Sequence, residues 1–382
     1  MTHHPTLGVA VVGSAFMGKA HSNAWRNVGA FHPDVVAVTQ QVLVARDPGA
    51  TAQAAAQFGW AESATDWREV IHRDDVQIVD VCLPGHLHAE VAIAALEAGK
   101  HVLVEKPLAN SLEEAEKMAQ AATSAAERGV RSMVGFNYRR VPALALAREL
   151  IAVGRIGEVR EVRAAYLQDW LVDAAAPMTW RLRKDMAGSG ALGDLGSHVV
   201  DQVRFLTGQE VVDVSGTLRT FVTERTGEDG REPVTVDDAA WATLTTDGGA
   251  VASIEVSRMA TGQKNALRLE VYGDRGALTF DLERLNELQV ATDGNGFTRI
   301  LVTEPEHPYA GAWWPAGHTL GWDATFTNQA ADLLRAIEAG TDPQPSFADG
   351  LAVQRVLAAI QASAADGSRR ITLSSELGEE HR

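Results

Sequence analysis

Short apolar runs alternate with alanine-rich helical stretches through the first third of the chain, and that alternation leaves few folds open. Leu7–Val12, Val42–Ala45, Val76–Leu83 and His101–Val104 have the length and continuous apolarity of strands buried on both faces. Between them, residues 15–28, Ala50–Phe58 and Leu87–Ala98 predict helices, with Gly59 stopping the second and Gly99 in the C-cap position of the third. A helix from Leu112 to about Glu127 and a strand near Ser132–Phe136 continue the series. This βαβ rhythm specifies a doubly wound parallel sheet in which ligands bind beyond the carboxyl ends of the strands. The residues that follow each strand are therefore the ones to read for chemistry.

From about Arg160 the texture changes to longer alternating segments with hairpin punctuation. Ala240–Thr246 and Ala250–Ser257 flank the turn Asp247–Gly249, and Leu267–Tyr272 and Ala277–Asp281 flank Gly273–Gly276. The polar, glycine-bearing stretch Thr223–Pro233 reads as a mobile hairpin loop, and helices over Asp323–Ala339 and Ala348–Ala364 close the chain. The fold class is thus α/β: a doubly wound parallel domain over residues 1–136, then an α+β domain with an open, mostly antiparallel sheet over 137–382.

Charge and composition narrow the partners. The 382 residues can bury two cores, and 34 Lys plus Arg against 50 Asp plus Glu give a net charge of −16 that repels nucleic acid and anionic lipid. A lone cysteine, Cys82, forms no internal disulfide and sits in an apolar run. The start Met1–Thr6 leads into Leu7–Val12 without a basic stretch, and no run approaches the roughly 20 apolar residues of a spanning helix. These features read as a soluble cytoplasmic protein with a small-molecule partner.

The first strand runs into Gly13-Ser-Ala-Phe-Met-Gly18, the dinucleotide turn with Ala15 at the second glycine and with Phe16 and Met17 before the third. Gly13 permits the bend, a small residue at 15 lets backbone amides approach a pyrophosphate, and the helix N-terminus favours its charge. At the end of the second strand Ala45 occupies the place of a ribose-binding acid, and Arg46 can pair with a 2′-phosphate, so NADP is preferred and NAD is the alternative. In that alternative Asp47 takes the ribose, or Arg46 is a solvated loop residue. Leu83, Pro84, His86 and His88 follow the third strand and line the cofactor loop. Glu105-Lys106-Pro107 follows the fourth, with Glu105 and Lys106 against the cofactor and Lys106 placed for the nicotinamide ribose and a substrate hydroxyl.

Downstream, the glycine-rich block from Ala187 opens a helix with Asp194 and His198 four apart on one face, and Asp201 three residues later. A carboxylate one turn from an imidazole is an acid/base arrangement. A capping pair and a metal pair share that spacing, but no cluster of further ligands accompanies it, and no metal is assigned.

These strings together resemble the glucose-fructose oxidoreductase / inositol dehydrogenase / MocA family of sugar and cyclitol dehydrogenases. The resemblance rests on Gly13–Gly18 with His21, Glu105–Pro107, Gly135-Phe-Asn-Tyr-Arg139, Trp180-Arg181, the Gly188–His198 block and Pro345–Gly350, in order from about residue 7 to 365. It implies a Rossmann domain, and a C-terminal substrate domain whose sheet makes a homo-oligomer, dimer or tetramer. It also implies that Lys106, Asp194 and His198 surround the substrate carbinol, that Arg139 and Gln168 face substrate, and that Asn137, Trp180 and Arg181 touch the cofactor. On that implication His198 takes the hydroxyl proton as hydride leaves for the nicotinamide. Ala15 and Ala45-Arg46 depart from the family pattern. Tyr166-Leu-Gln-Asp-Trp170, His307-Pro-Tyr309 and Trp313-Trp314 are similar to the levoglucosan dehydrogenase branch, and the two tryptophans would stack on a sugar or pack at a subunit contact. The same family includes glycoside hydrolases that use NAD for transient oxidation, and cofactor-sensing regulators without turnover.

Overall fold

Leu7–Val12 forms β1, the strand that organises the first sheet, because five of its six residues are buried and it is flanked on both sides. The computed structural model describes residues 6–292, 294 and 296–373, so the leading Met1–Pro5 lie outside the described residues. Around β1 stand β2 (Val38–Val44), β3 (Glu62–Ala64), β4 (Ile78–Val81), β5 (His101–Val104) and β6 (Ser132–Val134), in the order β3-β2-β1-β4-β5-β6. Every neighbouring pair is parallel, and the order reverses between β1 and β4, the switch point at which doubly wound sheets bind ligands. Strand β2 begins earlier than its apolar run, since Val38–Gln41 is only partly buried and carries no continuous hydrophobic signal.

Helices α1 (Phe16–Phe31), α2 (Pro48–Phe58), α3 (Trp67–Val70), α4 (His88–Glu97) and α5 (Leu112–Ala126) connect these strands. The Asp47 carboxylate caps α2, which ends at Gly59 in the left-handed region, and Ser111 with Glu114 makes a reciprocal capping box on α5. The short β3 and α3 escaped the sequence reading because β3 is largely exposed and α3 is a single turn.

The chain divides into two compact units, one of residues up to Arg140 with Leu320–Leu351, the other of Val141–Thr319 with Ala352 onward. In the first, the late helix over Ala324–Ala339 packs Ala330, Ala331, Leu333 and Leu334 into the same core as Val9, Val11, Trp25 and Val28. The sequence reading leaves that helix in the second domain; an amphipathic stripe announces a core but not which core.

His101 opens β5, and its Nδ1 accepts the Arg131 backbone N–H at 2.9 Å. Burial first, and the Arg131 charge second, push its pKa from 6.5 down to about 4. Between those values the unfolded chain takes up a proton that the folded chain refuses, so stability falls as pH falls through that window, by at most about 3 kcal/mol from this residue. Urea denaturation at about pH 7 and about pH 5 should show a smaller acid loss in His101→Gln than in wild type; equal losses would contradict the assignment.

The second unit contributes α6 (Pro142–Ala152), β7 (Val159–Leu167), α7 (Lys184–Ala187), α8 (Ser197–Thr207), β8 (Val211–Arg219), β9 (Glu224–Gly227) and β10 (Gly230–Pro233). It continues with β11 (Ala239–Thr246), β12 (Val251–Ser257), β13 (Ala266–Gly273), β14 (Ala277–Asp281), β15 (Glu287–Ala291) and β16 (Thr298–Leu301). The late helix of the first unit is α9, followed by α10 (Phe347–Ala365) and β17 (Ile371–Thr372). A nine-stranded sheet runs β16-β15-β14-β13-β7-β12-β11-β8-β17, with β7 and β12 parallel and the other described neighbours antiparallel. Both expected hairpins are present.

The segment Thr223–Pro233 is the expected hairpin. Strands β9 and β10 form their own two-stranded sheet, and Arg225 is fully buried beneath it. Its guanidinium donates to the carbonyls of Leu171 and Asp173, both at 2.7 Å, and of Ala176 at 3.2 Å. Because the anchor is an arginine, composition alone makes the stretch look solvated.

Candidate functional site

In the first unit β1 delivers Gly13 with φ of 117°, and a Cβ there would stand 2.3 Å from the Cys82 carbonyl oxygen. A Cβ on Gly18 would stand 1.9 Å from the Gly13 carbonyl oxygen, so both glycines are required by close backbone approach. Ala15 and Phe16 are exposed at the start of α1, and Ala15 offers no side chain to cap its amides. A concave glycine turn ahead of uncapped helix amides fits a dinucleotide pyrophosphate. Met17 is half-buried, and the Phe16 ring stacks on Trp322 at 5.5 Å, a neighbour with no signal in the turn motif. Arg46 is exposed just past β2, whereas the Asp47 Oδ1 is engaged by the Ala50 N–H at 2.7 Å.

Beyond β4, Leu83, Pro84 and His86 are half-buried on the loop into α4. His88, at the start of α4, lies beneath that loop. Its ring is 1% exposed, with Nε2 2.8 Å from the Leu83 carbonyl and Nδ1 3.0 Å from that of Pro107, so it ties two loops together from beneath. Burial outweighs these contacts and lowers its pKa.

Glu105 follows β5 and is 4% exposed, while Lys106, joined to Pro107 by a cis peptide, is half-buried. Glu105 Oε1 lies 2.9 Å from His21 Nε2, and His21 Nδ1 lies 2.8 Å from Asp80 Oδ2. Burial opposes a charge on His21 most strongly, yet Asp80 and Cys82 together more than offset it and hold the imidazole well above the usual histidine range. Asn137 is buried and donates to Thr325 Oγ1 at 2.8 Å. Arg139, expected to face substrate, is 8% exposed and pairs with Asp349 at 3.3 Å, an ion pair buried inside the first unit.

In the second unit Leu192–Gly196 forms a single π-helical turn that carries Asp194 and runs straight into α8, with His198 5% exposed in its first turn. Such π-turns are frequent at functional sites. The preceding loop is built around Asp237, whose two carboxylate oxygens accept the N–H groups of Gly190 at 2.7 Å and Leu192 at 2.8 Å. Burial pushes the Asp237 carboxyl up, and those N–H donors and Arg258 oppose the shift. Arg258 is 1% exposed, donates to the Asp237 carbonyl at 3.0 Å, and lies in the fields of Asp194, Asp237 and Asp238, which oppose the lowering caused by its burial.

His198 meets the ring of Tyr166 edge-on at 5.9 Å. The Tyr166 hydroxyl and Gln168 Nε2 both donate to Asn265 Oδ1, at 2.7 and 2.8 Å, and Gln168 Oε1 accepts from Trp170 Nε1 at 3.0 Å. Asp201 is fully buried on α8. Trp180 is half-buried under the Arg181 guanidinium, 4.4 Å from its ring centre, and Trp314 is 51% exposed. Asp237, Arg258 and Asn265 escaped the sequence reading; each is a single polar residue at a strand boundary, without a motif to mark it.

Residues 7–136 match the model of an oxidoreductase family with an NAD-binding Rossmann fold, and residues 144–279 match the GFO/IDH/MocA C-terminal domain. A levoglucosan dehydrogenase from Pseudarthrobacter phenanthrenivorans is 41% identical over 95% of this chain and 97% of its own. The chain belongs to the Gfo/Idh/MocA oxidoreductase family. As a member it is an NAD(P)-dependent oxidoreductase. An oxidoreductase domain protein from Kribbella flavida superposes with a TM-score of 0.94 at 55% identity, covering 97% of this chain and all of that one. A levoglucosan dehydrogenase solved with NADH and levoglucosan follows at 0.93 and 40%, with the same coverage. Among the described residues, no helix of this Gfo/Idh/MocA protein is long and apolar enough to cross a membrane.

Proposed function

We propose that this oxidoreductase oxidises a secondary hydroxyl of a sugar, anhydrosugar or cyclitol to the ketone, reversibly, in the cytoplasm and as a homo-oligomer formed through the nine-stranded sheet. The observation that carries the reading is His198 enclosed at the start of α8, one turn after the π-turn bearing Asp194, in a chain 41% identical to a levoglucosan dehydrogenase. His198 takes the hydroxyl proton, Lys106 stabilises the alkoxide that develops, and Asp194 keeps substrate and imidazole in register. The nicotinamide, when bound, accepts the hydride. Gln168, oriented from both ends by Asn265 and Trp170, offers its amide to a sugar hydroxyl.

NADP is the preferred cofactor in this reading, since Arg46 is exposed where a 2′-phosphate would lie and Asp47 is committed to capping α2. The levoglucosan dehydrogenase complex with NADH favours NAD instead. Steady-state kinetics of Arg46→Ala separate the two. A charge-assisted contact to the phosphate is worth about 1.5–3 kcal/mol, so kcat/KM for NADP⁺ should fall roughly 10- to 100-fold, far more than for NAD⁺. No loss with either cofactor would assign Arg46 to solvent, and equal losses with both would deny it the 2′-phosphate and favour NAD.

A further inference from the structure

The proposed reaction leaves the buried imidazole of His21 without a task. His21 lies on the inner face of α1, three residues past Gly18, and is 1% exposed. Its Nδ1 stands 2.8 and 3.0 Å from the two oxygens of Asp80, which is fully buried at the third position of β4. Its Nε2 stands 2.9 Å from Glu105 Oε1. An imidazole with a carboxylate at each nitrogen donates to both only as the imidazolium. Asp80 is held in turn by Trp25 Nε1 at 2.7 Å and the Cys82 thiol at 3.6 Å, and Phe326 covers the imidazole at 5.3 Å between ring centres. The other Glu105 oxygen, Oε2, accepts the backbone N–H of Lys106 at 3.2 Å.

These contacts form one chain of hydrogen bonds, from Asp80 through His21 and Glu105 to the backbone of Lys106, wholly inside the first unit. We propose that His21 is a positioning residue for Lys106: by holding Glu105 on the helix that also carries the dinucleotide turn, it fixes where the Lys106 ammonium stands. Without the imidazolium, two buried carboxylates share a site with no cation between them. One of them must then take up a proton or move, and Glu105 is the one attached to a loop. A lysine that stabilises an alkoxide gains its effect from being fixed before the reaction, so slack in this chain costs turnover more than binding.

The inference rests on Lys106 meeting the reacting hydroxyl, and its test includes a readout that needs no substrate. Reductive ¹³C-methylation of the full-length protein reports each lysine by NMR, and the Lys106 signal is assigned by its loss in Lys106→Arg. In His21→Gln, and in Glu105→Gln, which removes the carboxylate charge that pairs with the His21 imidazolium, the Lys106 signal should shift and broaden. Turnover at saturating substrate and cofactor should fall about 10- to 100-fold, while affinity for reduced nicotinamide dinucleotide changes less than about threefold. An unchanged Lys106 signal in folded variants would overturn the proposal. A loss of turnover matched by an equal loss of dinucleotide affinity would also overturn it, by placing His21 with the glycine turn. Failure of both variants to fold would assign the chain to stability alone and overturn it as well. If the wild-type protein oxidises no sugar, the functional reading fails, and the methyl-lysine spectra still decide whether His21 positions Lys106.

Discussion

His198→Ala should lower kcat by roughly 10²- to 10⁴-fold while the affinity for reduced nicotinamide dinucleotide stays within about threefold, the loss typical of removing a general base. The expectation follows from where the imidazole sits. His198 is 5% exposed at the first turn of α8, backed edge-on by Tyr166, whose hydroxyl is anchored on Asn265. A polar group enclosed this way is held in one orientation at a cost in desolvation, and proton transfer returns that cost only in the transition state. Steady-state turnover with the substrate that wild type accepts, together with a fluorescence titration of reduced cofactor, checks both halves. Wild-type turnover in the variant would remove His198 from the reaction.

Gly190→Ala should be the most destabilising small substitution in the second unit, by at least about 3 kcal/mol, with turnover lost alongside. An added Cβ would stand 1.7 Å from the Asp237 carbonyl oxygen and 2.6 Å from an Arg258 nitrogen. Neither can yield cheaply. The first is backbone, and the second is the end of a guanidinium that is 1% exposed and donates to that same carbonyl. Moving either breaks the pair of N–H contacts by which Asp237 holds Gly190 and Leu192, and with them the start of the turn that carries Asp194. Gly193→Ala is the comparison, because its Cβ would meet only the Ser189 hydroxyl, at 2.4 Å, which can rotate away. Urea denaturation of the two variants should separate them by more than about 2 kcal/mol; coincident midpoints would contradict this view of the loop.

The parallel half of the fold was legible because a strand buried on both faces is a continuous apolar run, and because Gly59 and Gly99 punctuate the helices where the pattern stops. Motifs that bind through backbone were legible for a related reason: Gly13 and Gly18 are glycines because a Cβ has no room. What stayed hidden depends on contacts between residues distant in sequence. Arg225 gave the β9–β10 segment a solvated appearance while lying fully buried, its partners some fifty positions upstream. Arg139 read as a ligand contact from its motif, and its ion pair with Asp349 spans 210 positions. His21 was visible as part of a string, but its partners Asp80, on β4, and Glu105, just past β5, share no spacing rule with it. The packing of α9 into the first core was not legible for the same reason, since periodicity reports an apolar face and not its partner.

Whether this protein is a sugar or cyclitol dehydrogenase is decided by the absorbance of reduced nicotinamide when the purified protein meets NAD⁺ and NADP⁺ separately with levoglucosan, myo-inositol, scyllo-inositol, glucose and methyl glucosides. At least one cofactor should be reduced with one class of these alcohols, and the reduction should be abolished in His198→Ala. Release of free sugar from the glycosides with no net change in absorbance would contradict it in favour of a hydrolase that oxidises transiently. Dinucleotide binding by calorimetry without any turnover across the panel would contradict it in favour of a cofactor-sensing protein.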